Sequence, residues 1–329
     1  MNLKQEVLTK LESNRGVSIS GAKLAKELYV SRNAVWKAIK SLQEDGYSIT
    51  AVTNKGYCLS DNTDILSAQS ILKYLNTNSD NLKIEVYKTI SSTNSVLKKE
   101  AELGEPEGKV IIAEEQTSGR GRMGREFYSP PDTGIYMSIL LRPTITAEES
   151  LFITTSAAVA VAKAIETVAG CKASIKWVND IYCFDKKVCG ILTEGAMDIE
   201  NGKLKYAVLG IGVNVIQPKG DFPGDLKKIA TAIFKDGDYT TDGKSRLAAE
   251  ILNYFWKYYK SLENREFMEE YINRSFLIGE EINIISGNAF RKAVAIGIDK
   301  ECRLIVREED ETITTISSGE VSIRKVPNI

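Results

Sequence analysis

Within the first 60 residues the apolar positions recur three times at helical spacing and then switch to strand-like spacing, which demands a compact three-helix unit carrying a β-hairpin. Leu3, Val7, Leu8 and Leu11 define the first helix. Ser20 can cap a second with Leu24, Ala25 and Leu28 turned inward. Only Tyr29-Val30-Ser31 separates it from a third, for which Ser31 is a good N-cap and Val35, Ala38 or Ile39, and Leu42 form the buried face. That is helix-turn-helix spacing. Segments 47–52 and 56–59 then read as short strands around the turn Thr53-Asn54-Lys55-Gly56, completing a winged helix.

The third helix turns Arg32, Asn33, Trp36, Lys37 and Lys40 away from its apolar side. Together with Ser31 at its start and Lys55 at the hairpin tip, these are groups that reach phosphates and base edges when a helix lies in a major groove. Charge follows the same division. Residues 1–60 hold nine Lys and Arg against five Asp and Glu, whereas the chain as a whole has net charge −1. A basic head on an acidic body is expected where one end meets nucleic acid.

Ser60-Asp61-Asn62-Thr63-Asp64 is a polar boundary, and beyond it helical and strand patterns intermix. Helices are expected near 68–75, 93–103, 151–169, 246–259 and 267–275. Strands are expected near 83–90, 110–115, 135–141, 175–183, 188–194 and 206–215. This is a mixed α/β domain. From 278 onward short β segments punctuated by Gly279, Gly287, Gly297 and Gly319 predict a small β-barrel. The expected division is 1–62, 63–277 and 278–329, a multidomain α+β chain. Residues 151–169, though strongly apolar, include Thr154, Thr155, Ser156, Lys163 and Glu166, and read as a core helix and not a membrane span.

Two residue counts narrow the chemistry. The chain has no histidine, which excludes histidine-based triads and histidine zinc sites. Its five cysteines are scattered, without a CxxC pair, which argues against a disulfide framework or a four-cysteine metal site and for a reducing cytoplasm; the N-terminus has no secretory pattern.

Gly119-Arg120-Gly121-Arg122-Met123-Gly124-Arg125 formally matches a dinucleotide fingerprint, but Phe127-Tyr128-Ser129-Pro130-Pro131 follows it and cannot begin the required helix. Interleaved glycine and arginine instead suit a loop that folds amides and guanidinium forks around a phosphate or carboxylate.

The loop is one of several segments in a distinctive order: Ser92-Thr93-Asn94, Gln116 with GRGRMGR, Lys176-Trp177-Val178-Asn179-Asp180, Lys187-Val188-Cys189-Gly190-Ile191-Leu192, and Gly210-Ile211-Gly212-Val213-Asn214. Their order and spacing resemble the bacterial biotin protein ligases, and with the head in front the whole chain is similar to the bifunctional ligases that also repress biotin operons. Val178 departs from the commoner proline, which removes some turn rigidity. The arginine and triple-glycine signature of lipoate ligases is missing.

The resemblance implies a class II synthetase-like ligase domain and an SH3-like C-terminal barrel. It also implies a two-step reaction: biotin and ATP form biotinyl-5'-AMP, and biotin then passes to a lysine of a biotin carboxyl carrier protein of acetyl-CoA carboxylase or another biotin carboxylase. It implies biotin contacts from Ser92, Thr93, Asn94, Gln116, Gly119, Arg120, Gly121, Arg122, Lys187, Gly190, Gly210 and Gly212. ATP contacts are implied for Arg120, Arg122, Arg125, Lys176, Asn179, Asp180, Lys187 and Asn214, with Mg²⁺ arriving with ATP, near Asp180. The implied partners are operator DNA and a second copy in a ligand-promoted homodimer. A non-catalytic ligand-sensing regulator, and a ligase whose head is vestigial, are the alternatives.

Overall fold

A computed structural model describes residues 2–52, 55–76, 82–198, 200, 202–235, 237–286, 289–317 and 320–323. The head holds α1 (Leu3–Glu12), α2 (Gly21–Glu27), α3 (Arg32–Glu44) and the hairpin β1 (Ile49–Val52) and β2 (Gly56–Leu59). Each helix begins at a side-chain cap: Asn2 in a reciprocal capping box with Gln5, then Ser20 and Ser31. Val35, Ala38, Ile39 and Leu42 of α3 join Val7, Leu11, Leu24 and Leu59 in a core of the head's own. At about 1.5–3 kcal/mol per fully buried aliphatic side chain, this cluster supplies the unit's cohesion. Ile49 pairs with Leu59 and Val52 with Gly56, so the hairpin forms with its first strand starting at Ile49 and not at Tyr47, and Thr53 and Asn54 of the turn lie outside the described residues.

The body begins with α4 (Ala68–Leu72) and is built on a seven-stranded sheet of order β3-β4-β5-β9-β8-β7-β6. Its strands are β3 (Lys83–Ile90), β4 (Lys109–Gln116), β5 (Gly134–Leu141), β6 (Ser174–Lys176), β7 (Asp180–Cys183), β8 (Lys186–Met197) and β9 (Leu204–Asn214). Only β3 and β4 are parallel, joined through α5 (Thr93–Glu102); the other neighbours are antiparallel. One expectation needs correction. Residues 175–183 form no single strand but a hairpin in which Lys176 pairs with Asp180, so Trp177-Val178-Asn179 is its turn, and the Trp177–Val178 peptide bond is cis. Strand-forming residues flank that turn and concealed it from periodicity.

On one face of the sheet lie α6 (Leu151–Ala169) and α8 (Gly243–Tyr259), with the short α7 (Leu226–Ile229) and α9 (Met268–Arg274) completing the helices. The stretch 148–169 is apolar enough by composition to cross a membrane, yet α6 lies inside the core. Its hydroxyls are internally satisfied: Thr155 Oγ1 donates to the Leu151 carbonyl (2.8 Å), Ser156 Oγ to that of Ile153 (3.1 Å), and Thr154 bonds Thr193 (2.7 Å). Across the sheet, α5 covers a smaller cluster of Leu97, Ala101, Ile111, Leu140, Tyr206 and Val208.

The tail forms a five-stranded antiparallel sheet of order β13-β12-β11-β10-β14, from β10 (Glu281–Ser286), β11 (Ala289–Ile298), β12 (Leu304–Glu308), β13 (Ile313–Ile316) and β14 (Glu320–Ile323). Its buried Ile282, Ala295, Leu304 and Val306 belong to the same apolar cluster as α6 and α8, and the Trp177 indole donates to the Cys302 carbonyl at 2.9 Å. The head is tied to the body by ions. Buried Arg15 lies 2.6 Å from Glu12 and 2.9 Å from Asp242, and it donates to the Thr63 carbonyl at 2.8 Å.

Candidate functional site

A cavity of about 270 Å³ opens where the start of α5, the loop after β4 and strands β7, β8 and β9 converge. Its floor is a register row. Lys176 pairs with Asp180, Asp180 with Gly190, Gly190 with Gly212, and Gly212 with Tyr136, each on successive strands. The two central glycines leave room for Phe127, which folds over them from the loop. A Cβ on Gly212 would lie 2.5 Å from the Phe127 ring, and one on Gly190 would lie 3.1 Å from it. Gly210 makes the same kind of room for Asn94, whose amide oxygen would sit 2.3 Å from a Cβ there.

At one end the cavity is lined by uncharged, hydrogen-bonded side chains. Gln116 Oε1 accepts from the Thr93 amide (2.9 Å) and hydroxyl (3.1 Å), while its Nε2 donates to Ser129 Oγ (3.0 Å). Ser138 Oγ donates to Asn94 Oδ1 at 2.6 Å, and Asn94 Nδ2 donates to Glu194 Oε2 at 2.9 Å. Burial opposes the charge of Glu194, but Asn94, Lys98 and Arg120 outweigh it and hold the carboxyl below its ordinary value. Ser92 caps α5 by accepting from the Ser95 amide, so its hydroxyl is structural as well as cavity-lining.

The other end is cationic: Arg120, Arg122, Arg125, Lys176 and Lys187 line the cavity against two carboxylates, Glu126 and Asp180. Residues 119–127 close into a narrow hairpin, because the Gly121 amide donates to the Arg125 carbonyl (2.8 Å) and the Phe127 amide to that of Gly119 (3.0 Å). Met123 and Gly124, both left-handed at φ 55° and 73°, make its tip. Arg122 Nη1 donates to Asn179 Oδ1 at 3.1 Å, and Asn179 Nδ2 to the Ile191 carbonyl at 2.8 Å, which links the loop to the β6–β7 turn and to β8. Lys187 Nζ lies 2.6 Å from Asp180 Oδ1. Asn214 Nδ2 donates to the Thr231 carbonyl at 3.1 Å.

Of the body residues expected at the site, all line this cavity except Gly119. Gly119 forms the loop's neck, where a Cβ would press on the Phe127 carbonyl and Ser129 Oγ at 2.4 and 2.6 Å. Sequence reasoning missed Phe127, Tyr128 and Phe222, which line the cavity, and Ser129, Ser138 and Glu194, which bond its polar residues. Phe127 had a signal, being the first aromatic after the arginine loop. Ser138 had one too, as a hydroxyl inside the apolar run of β5. In the head, Arg32, Asn33, Trp36, Lys37 and Lys40 are exposed along α3, with Lys40 Nζ 5.6 Å from the Trp36 ring centroid, and Ser31 and Lys55 are exposed as well.

Fold and site together define a ligase of the biotin and lipoate type. The model of the Biotin/lipoate A/B protein ligase family matches residues 86–214, an HTH domain model matches 4–58, and the Biotin protein ligase C terminal domain model matches 277–324. The chain is 37% identical over 310 residues to the bifunctional ligase/repressor BirA of Bacillus spizizenii, covering 93% of this chain and 94% of that one. It is 28% identical over 316 residues to the Escherichia coli bifunctional ligase/repressor BirA, covering 93% and 92%. A solved biotin protein ligase from Aquifex aeolicus in complex with biotin and ATP superposes with TM-score 0.61 at 27% identity, covering 74% of this chain and 99% of that one. The chain belongs to the bifunctional ligase/repressor family of biotin protein ligases.

Proposed function

We propose that this protein is an ATP-dependent biotin protein ligase that forms biotinyl-5'-AMP, transfers biotin to a carrier-protein lysine, and represses biotin genes through its head. The observation that carries this reading is the two-ended cavity, hydrogen-bonding at one end and lined by five cations at the other. The polar end of Thr93, Gln116 and Ser129 suits a ureido ring, which needs donors and acceptors but no charge. Five cations against the two carboxylates Glu126 and Asp180 leave an excess of three, more than biotin's single carboxylate calls for and suited to a carboxylate beside a triphosphate.

The chemistry suits a chain without histidine. Biotin's carboxylate is ionised at neutral pH and needs no general base to attack the α-phosphorus of ATP. Catalysis therefore rests on positioning and charge neutralisation. Arg120 and Arg122 hold the carboxylate and α-phosphate, Arg125 the outer phosphates, and Lys187 the forming linkage. Lys176, Asn179, Asp180 and Asn214 serve ATP. AMP is then the leaving group when the carrier lysine attacks the activated carbonyl. Among the described residues no group of three Asp, Glu, His or Cys could hold a metal, and Asp180 is already paired with Lys187. Mg²⁺ would thus be held chiefly by ATP's phosphates, with Asp180 and Glu126 the carboxylates at that end of the cavity.

The five free cysteines support a cytoplasmic setting. One head with a modest positive excess should bind DNA weakly, whereas two heads on a symmetric dimer can read a palindrome. Biotinyl-adenylate that orders loop 119–127 removes glycine entropy before association and so favours the dimer. The decisive experiment is biotin-dependent ATP–pyrophosphate exchange, followed by transfer to a carrier domain. Biotin binding without exchange would instead establish a non-catalytic sensor, and full ligation without operator binding a ligase with a vestigial head.

A further inference from the structure

Cys171 and Cys183 meet beneath the site. Cys171 follows the left-handed Gly170 that ends α6, Cys183 closes β7, and their sulfurs are 3.2 Å apart although the residues are twelve positions apart in sequence. Both are buried, at 7% and 2% exposure. A disulfide requires about 2.05 Å between sulfurs, so the pair needs to close by only about 1.2 Å. Cys189 and Cys302 are buried too, but Cys302 Sγ lies 3.3 Å from Thr155 Oγ1 and 3.7 Å from the Met268 sulfur, and burial raises the Cys189 thiol well above its ordinary value.

We propose that Cys171 and Cys183 form a reversible dithiol–disulfide site oxidised by a small hydroperoxide. The ring it closes, residues 171–183, contains Lys176, Asn179 and Asp180, three of the residues lining the cavity. Burial restricts the oxidant to something the size of hydrogen peroxide. Cys171 is the more exposed of the two, at 7% against 2%, which makes it the sulfur a small oxidant reaches first; its contact with Cys183 also lowers its thiol against the burial that opposes the charge. Its thiolate attacks one peroxide oxygen: the S–O bond forms, the O–O bond breaks, and hydroxide leaves as water after taking a proton. The Cys183 thiol then loses its proton and attacks the sulfenic sulfur. An S–S bond forms, the S–O bond breaks, and a second water leaves. Two thiols and one peroxide become one disulfide and two waters, with sulfur oxidised and oxygen reduced.

The test uses the full folded chain and no activity assay, so its result is independent of the proposed ligase function. Native protein is treated with hydrogen peroxide, quenched, denatured, alkylated and digested. The expected result is a fall from five alkylatable thiols to three, a peptide cross-link between Cys171 and Cys183, and return to five with dithiothreitol. In Cys183→Ser the resolving sulfur is gone, and dimedone should label Cys171. Retention of all five thiols, a cross-link that joins other cysteines, or irreversible sulfinic acid at Cys171 in the wild-type protein would overturn the proposal. Because the primary readout is on the wild-type chain, it stands even if the serine variant fails to fold.

Discussion

Phe127 lies over Gly212 so closely that a Cβ there would sit 2.5 Å from the ring, and the ring in turn meets Tyr136 edge-on, with centroids 6.3 Å apart. The loop that carries the arginines is thereby seated on the sheet. Gly212→Ala should push Phe127 off the strand and displace the loop neck, at about 1–3 kcal/mol of overpacking. Biotin affinity should fall at least about tenfold, measured by calorimetry alongside the melting temperature. Native affinity would mean that the loop does not need this seat.

Arg120 carries charge without holding the fold. Its side chain is half exposed, and its ion pair with Glu194 is long at 4.0 Å. Arg120→Ala should therefore leave the ligand-free melting temperature nearly unchanged. Affinity for biotinyl-adenylate should drop about ten- to a hundredfold, the about 1.5–3 kcal/mol typical of a charged hydrogen bond. Unchanged binding of the adenylate would remove Arg120 from the site.

Lys187 extends from β8 to Asp180 at 2.6 Å and lines the cavity. Lys187→Ala should slow adenylate formation more than it weakens biotin binding, since the missing charge matters most as negative charge redistributes at phosphorus. Single-turnover rates of the two half-reactions check this; normal rates in both would refute the role.

For DNA, Lys37 is exposed on α3 and the described contacts give it no partner within the head. If it neutralises one phosphate, Lys37→Ala should weaken binding about equally on all sequences and reduce the salt slope by about one. Titrations at several salt concentrations read this directly, and an unaltered slope would move the contact elsewhere on the head.

Arg274 ties α9 to α6, lying 2.7 Å from Glu166 and 2.8 Å from Glu270, with Lys163 3.0 Å from Glu270. Burial opposes the charge of both carboxylates, but these cations outweigh it and lower both values. A depressed carboxylate binds fewer protons folded than unfolded. Its stabilisation is complete above the ordinary range near pH 4.3 and is lost as pH falls through the lower folded values. Arg274→Gln should cost about 1–2 kcal/mol at neutral pH and flatten the acid limb of the stability curve, as denaturant melts between pH 7 and pH 3 would record. An acid limb as steep as the wild type's would show that other carboxylates govern it.

Much was legible in one dimension because the signals were local. The caps Ser20 and Ser31 act within three residues of themselves, and α3 presents apolar and basic faces by a 3.6-residue period. The loop arginines and the Lys176 to Asp180 segment stood out because their spacing in sequence is their chemistry. The turn at Trp177 to Asn179, by contrast, is closed by strand pairing, and strand-forming residues on either side disguised it. Phe127 and Ser138 carried only faint local signals and Glu194 none, because their importance comes from groups up to a hundred positions away, such as Asn94 for Glu194. The same holds for Arg15, whose partner Asp242 is set by how the head docks, and for Cys171 and Cys183, ordinary scattered cysteines until a hairpin brings their sulfurs together. By itself the sequence determined most element types, the exposed basic face of α3 and the inventory of cations, all properties of short-range periodicity and composition. Tertiary structure alone decided which distant strands became neighbours, because strand order rests on non-local hydrogen bonds and shared burial, and those place Lys176, Asp180, Gly190, Gly212 and Tyr136 in one row beneath the cavity.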